Sequence, residues 1–324
     1  MDLICPAGTP AALRVAVDAG ADAVYMGFRD ETNARNFPGL NFSVDELVEA
    51  LDYAHAAGAK VLLAVNTYAK AGNGDPWTKA IDNAAKFKVD AIILADIGLL
   101  DYAKRTHPDL RLHLSVQASA SNAAAINHYA KEFDIRRVVL PRVLTLPEIK
   151  AINSKIDIKT EVFAFGGMCP MAEGRCSLSS YITGKSPNMN GVCSPASHVK
   201  YIQQGQELKT DLAGFTINKF GPLEHAGYPT LCKGRFTAGG ETGYLFEEPT
   251  SLNVTGILPE LMAAGVSALK IEGRQRSKAY VREVVQNFRI AVDAAARGER
   301  MVIPMDNLTE GGQHTTGAYN KKWM

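Results

Sequence analysis

A chain of 324 residues, 46% hydrophobic and 21% charged, is long enough for one large α/β barrel or for two smaller domains. Its 35 basic and 34 acidic side chains leave a net charge of +1, which excludes a global pull toward nucleic acid and leaves only a local basic patch as a route to it. No basic segment followed by an apolar stretch opens the chain, and no apolar run approaches the roughly 20 residues that span a bilayer, so a cytoplasmic protein is expected.

Strand-like apolar runs fall at 3–7, 23–27, 61–66, 91–95, 112–117, 138–141 and 162–165. Helical periodicity separates them at 10–19, 44–57, 80–87, 99–105, 123–133 and 146–152. Gly20, Gly58 and Gly98 punctuate the joins, and Ser43 with Glu46 has the spacing of a capping box. An eighth run at 267–272 precedes a long helical stretch at 279–296. Eight strand–helix units predict an α/β fold of the (β/α)8, TIM-like kind, with room for irregularity; a doubly wound open sheet is the alternative. The organisation expected is seven units over 1–166, a cysteine-bearing insertion over 167–265, a final strand and helix over 266–298 and a C-terminal arm over 299–324. Within the insertion, 198–203 and 243–246 read as β, and 260–264 reads as a short helix begun by Pro259. Active sites of such barrels lie at the carboxyl ends of the strands, and an insertion leaving strand seven begins at that rim.

Cys5 stands alone in the first strand and reads as a small buried hydrophobe. Cys169, Cys176, Cys193 and Cys232 follow the pattern C-x6-C-x16-C-x38-C, each with Gly or Pro within two residues, where the backbone can bend toward a shared centre. Four thiolates suit zinc or an iron–sulfur cluster. The lack of a C-x2-C knuckle tilts the expectation to the cluster, with four unligated thiols as the alternative. A cluster saturated by four cysteines transfers electrons or holds a loop rather than binding substrate directly.

Alternation points His113, Ser115 and Gln117 into the barrel, and likewise Lys270 and Glu272, with Asn66 closing strand three on the inner face. Lys270, Glu272 and Gln117 are the catalytic candidates. Arg35, Asn66, Arg142 and Arg274 are the substrate-binding candidates; these arginines, and Arg276, follow strand ends and can clamp carboxylates. The competing reading has Lys270 neutralise Glu272, Gln117 satisfy backbone groups and some of the arginines point to solvent. The H-E-x-x-H, G-x-S-x-G, P-loop and dinucleotide-binding patterns are all absent from the sequence.

The opening Leu-Ile-Cys-Pro-Ala-Gly, Gly20-Ala-Asp-Ala-Val-Tyr, Thr32-Asn-Ala-Arg35 and Glu173-Gly-Arg-Cys176 together resemble the collagenase-like peptidase family of unassigned catalytic type. So do Phe163-Ala-Phe-Gly166, Tyr228-Pro-Thr-Leu-Cys-Lys233, Glu248-Pro-Thr-Ser-Leu-Asn253, Lys270-Ile-Glu-Gly-Arg274 and Thr315-Thr-Gly-Ala-Tyr319. The resemblance covers nearly the whole chain. It implies a [4Fe–4S] cluster on Cys169, Cys176, Cys193 and Cys232 and a heterodimer with a paralogous, UbiV-like cluster protein. It also implies a part in the oxygen-independent hydroxylation of a quinone precursor during ubiquinone biosynthesis, with prephenate as oxygen source. Hydroxylation of RNA, as by siblings in the same family, is the alternative; a peptidase finds no nucleophile–base pattern in the sequence, and a non-enzymatic cluster scaffold is a further reading.

Overall fold

A computed structural model describes residues 1–171, 175–190 and 192–320, without the side chains of 188 and 189. Glu173 and Gly174 of the Glu-Gly-Arg-Cys run, and the end of the C-terminal arm, lie outside the described residues.

The alternation of apolar strands and capped amphipathic helices folds as a barrel. In order come β1 (Asp2–Pro6), α1 (Pro10–Asp18), β2 (Ala23–Met26), α2 (Val44–Ala56), β3 (Lys60–Val65), α3 (Asp75–Lys86), β4 (Ala91–Leu94) and α4 (Ile97–Thr106). Then follow β5 (Leu112–Leu114), α5 (Ala123–Phe133), β6 (Arg137–Val139), α6 (Leu146–Asn153) and β7 (Lys159–Gly167). Beyond β7 lie α7 (Ser177–Thr183), α8 (Pro187–Asn190), a three-stranded antiparallel sheet of β8 (Val199–Gln204), β9 (Glu207–Leu212) and β10 (Phe215–Phe220), and a hairpin of β11 (Arg235–Ala238) and β12 (Glu241–Tyr244). The chain returns through β13 (Ser251–Asn253), α9 (Leu258–Ala263), β14 (Ala268–Ile271) and α10 (Lys278–Ala296), and ends with β15 (His314–Thr315). β14 pairs in parallel with both β1 and β7, which closes eight parallel strands into a ring.

Side chains facing outward from the strands, such as Leu3, Val24, Leu63, Ile92 and Leu114, are fully buried against the helices in the main core with Leu13, Leu47, Trp77 and Phe288. The inward set is different. Ile4, Tyr25, Leu62 and Ile93, with Ala23, Ala91 and Ala268, form a small separate core inside the ring. Helix starts are fixed by side chains: Ser43 and Glu46 form the expected capping box, Thr145 and Glu148 form a second, and Thr9, Asp96, Asn122 and Ser277 each accept from an early helical N–H.

The structure departs from the sequence reading in three places. β5 stops at Leu114, because Ser115 caps a 3-10 turn over Val116–Ala118; Gln117 is therefore not a strand residue. α3 begins at Asp75, five residues before its expected start, with Pro76 in its first turn. The strand expected over 243–246 instead ends at Tyr244, paired with β11. The arm after α10 also gains order: β15 pairs with β13, which pairs antiparallel with β7, and the Tyr319 hydroxyl donates to the Phe163 carbonyl at 2.7 Å. Among the described residues no helix is long and apolar enough to cross a membrane.

Candidate site at the barrel mouth and the cysteine loops

The carboxyl ends of the strands carry an unusual density of charge. Gly8, just beyond β1, lets the loop after β14 approach: a Cβ there would sit 1.8 Å from the Arg274 carbonyl oxygen. The Arg274 side chain is thereby packed into the mouth, 7% exposed, with its guanidinium 5.5 Å from the centroid of the Tyr25 ring. Its Nε and Nη1 atoms are buried and have no hydrogen-bond partner. Burial, helped by Arg35 and opposed by Tyr25, lowers the Arg274 pKa to about 10. A buried guanidinium with idle donors is costly, and an anionic ligand relieves that cost.

Lys270 and Glu272 do not neutralise one another. Lys270 pairs with Glu161 of β7 at 2.7 Å and lies 4.1 Å from the Tyr25 ring, whereas Glu272 pairs with Arg142 at 2.7 Å. Strand alternation explains the split: residues two apart share a face but not a height, so each meets a different neighbour. Burial pushes the Glu272 carboxyl up, but the field and hydrogen bond of Arg142, then Arg35 and Lys270, pull harder, so it stays below the usual carboxylate range. Arg142 also stacks 3.8 Å over Phe163 and reaches the Gly167 carbonyl at 3.4 Å.

The remaining candidates divide. The buried Gln117 presents an Oε1 atom without a partner, while its carbonyl accepts from Tyr68 (2.9 Å) and Arg175 (2.8 Å). The Asn66 side chain accepts from the Ala34 amide at 2.9 Å and so shapes the loop that carries Arg35. Arg35 is exposed, with Nη1 donating to the Ala34 carbonyl at 2.7 Å. Arg276 lies 3.9 Å from Glu310 in the arm. His113 is buried beside Arg137, its register partner on β6, and accepts from Arg111 at 3.2 Å. Burial, then Arg137 and Arg111, hold it neutral by keeping its pKa well below the usual histidine value. Ser115 spends its hydroxyl on the Gln117 amide at 3.3 Å. Sequence reading missed Tyr25, Glu161, Arg175, Lys233 and Glu310. Alternation through Ala23–Met26 and Lys159–Gly167 marks the first two as inward; nothing in the sequence marks the others as partners across the fold.

Cys169 follows the end of β7 by two residues, so the cysteine loops begin at this same rim. Each loop is tied down locally. Arg175 donates to the Gln117 carbonyl, to Ser119 (2.9 Å) and to Tyr68 (3.1 Å), fixing the approach to Cys176. Cys176 caps α7 by accepting from the Ser179 amide at 3.3 Å. The Ser179 hydroxyl donates to the Cys193 carbonyl, and Tyr228 donates to the Ser194 carbonyl at 2.8 Å. Lys233, next to Cys232, pairs with Glu310. Cys5, by contrast, is buried within β1, away from these loops.

Burial first and Cys169 next raise Cys232 to about 12, with Cys193 and Cys176 adding and Lys233 opposing. Burial likewise raises Cys176, eased by the Ser179 amide and reinforced by Cys193. Among the described residues no three His, Cys, Asp or Glu side chains are grouped tightly enough for a single metal ion.

A sequence profile of peptidase family U32 matches residues 8–323. The chain is 32% identical to tRNA hydroxylation protein P of Haemophilus influenzae, covering 96% of this chain and 72% of that relative. The protein of the same name from Escherichia coli is also 32% identical, over 97% of this chain and 72% of its own length. A 23S rRNA 5-hydroxycytidine synthase of Escherichia coli is 29% identical over 91% of this chain and 39% of that relative.

Proposed function

The chain belongs to peptidase family U32, and we propose on that premise that it is an iron–sulfur component of an oxygen-independent hydroxylation. The observation that carries this reading is the mouth itself. A buried Arg274 with idle donors and a buried Gln117 with an idle acceptor face one rim, from which the four-cysteine loops also spring. The relatives named for tRNA and rRNA hydroxylation support the reaction class. The finer resemblance is to the ubiquinone biosynthesis protein UbiU. On that reading the substrate is a quinone precursor, the oxygen source is prephenate and the partner is a UbiV-like paralogue.

Cys169, Cys176, Cys193 and Cys232 would hold a [4Fe–4S] cluster, which supplies one-electron chemistry when bound. Arg274, itself buried, takes a carboxylate of the oxygen donor in a charge-assisted bond. Gln117 accepts a hydroxyl proton in a hydrogen bond through Oε1. Arg142, held by Glu272 and stacked on Phe163, keeps the positive field in place without competing for the first carboxylate. The pairing of Lys270 with Glu161 holds that side chain against the barrel wall, beside the Tyr25 ring.

Hydroxylation of RNA is the second reading, favoured by the names of the relatives. Deleting the gene and comparing quinone precursors with hydroxylated nucleosides by mass spectrometry separates the two. Accumulation of an unhydroxylated quinone precursor in anaerobic cells supports the first; loss of a hydroxylated nucleoside with normal quinone supports the second. For the cofactor, anaerobic purification should yield about four irons and four sulfides per chain. Zinc without sulfide would remove the redox reading.

A further inference from the structure

We infer that Glu310, in the C-terminal arm, is a positioning residue for the cysteine centre: it holds Lys233, and with it the Cys232 segment, against the point where β7 hands over to the Cys169 segment. The inference rests on the reading of the four cysteines as one ligand set.

Glu310 sits at a junction of three segments. Its carboxylate pairs with Lys233, the residue after Cys232, and lies 3.9 Å from Arg276 in the loop after β14. It also covers Gly167, two residues before Cys169: a Cβ at that glycine would lie 2.5 Å from Glu310 Oε1. The backbone of Glu310 is fixed as well, its amide donating to Ser251 Oγ of β13 at 2.9 Å. The next residue, Gly311, has φ +64, and a Cβ there would come within 2.3 Å of the Pro249 carbonyl, so the arm is pressed onto the β13 segment.

Lys233 is 12% exposed and Glu310 30%, so this ion pair is screened less by solvent than an ordinary surface pair, and removing one partner leaves the other poorly solvated. The geometry has one evident product: the segments that carry Cys169 and Cys232, 63 positions apart in sequence, meet at one carboxylate. Residues that orient metal ligands from outside the coordination sphere typically change metal retention by about 10- to 100-fold when replaced.

The test uses the full chain purified anaerobically and follows release of iron to a ferrous chelator by absorbance, beside thermal unfolding by circular dichroism. Glu310→Gln is expected to speed iron release at least about tenfold with little change in unfolding temperature. Lys233→Met should do the same, and the double variant should be no faster than either. The exchange of charges, Lys233→Glu with Glu310→Lys, should recover part of the retention. If Glu310→Gln does not fold, Ser251→Ala, which frees only the Glu310 amide, takes its place. Wild-type release from the variants, additive effects in the double variant, or release that simply tracks lost stability would each overturn the inference. A wild-type chain with neither iron nor sulfide would instead sink the shared ligand set, and this inference with it.

Discussion

Arg274 shows how much a single side chain can commit a site. Its guanidinium is buried by a backbone approach that only Gly8 permits, yet two of its nitrogens are left idle. Replacing it by Met keeps the volume and removes the charge. On the proposed function, Arg274→Met should weaken prephenate binding by about 10- to 150-fold, since charge-assisted bonds contribute roughly 1.5–3 kcal/mol. Calorimetric titration at unchanged iron content measures this; wild-type affinity would return Arg274 to a structural role. Glu272 gives a pH prediction of definite sign. Its pKa is lowered in the fold, so its contribution to stability is complete above the ordinary glutamate value of about 4.3 and is lost only as pH falls through the lower folded value. The Arg142 pair should therefore survive mild acid. The stability difference between wild type and Glu272→Gln should be constant between about pH 6 and 8 and shrink below about 4, as denaturant titrations at each pH would reveal; a difference that already fades at pH 6 would contradict the pairing.

At the scale of elements, the loop after β14 and the start of α2 make separate claims. Gly8→Ala drives a methyl into backbone rather than into a side chain that could turn aside. It should cost on the order of 2–4 kcal/mol and disturb Arg274 together with stability, because overpacking against backbone cannot be relieved locally. Urea unfolding combined with prephenate titration checks both halves, and a loss confined to stability would detach the glycine from the site. The capping box of α2 has no such reach. Ser43→Ala should cost about 1 kcal/mol of stability and leave iron content and ligand affinity as they were.

For the whole molecule, the strands and helices were legible because burial leaves a local mark in the sequence: the unbroken apolar run Val61–Val65, buried on both faces of its strand, and the Ser43–Glu46 cap each write their structure locally. The order of strands followed from the handedness of strand–helix–strand units. Inward-pointing Lys270 and Glu272 were legible by the same alternation, but their partners were not, because Glu161 and Arg142 come to them only through ring closure. The cysteine spacing was visible, whereas the ties at Arg175 and Glu310 join segments far apart in sequence and carry no periodic signal. Ring closure also has a consequence in time. β1 leaves the ribosome before the other barrel strands, yet its partner β14 is made some 260 residues later. Until then one side of the growing sheet presents unpaired amides and carbonyls, an invitation to other nascent chains. The barrel is thus most vulnerable during its own synthesis, and its yield in cells should depend on chaperone supply more than its final stability would suggest.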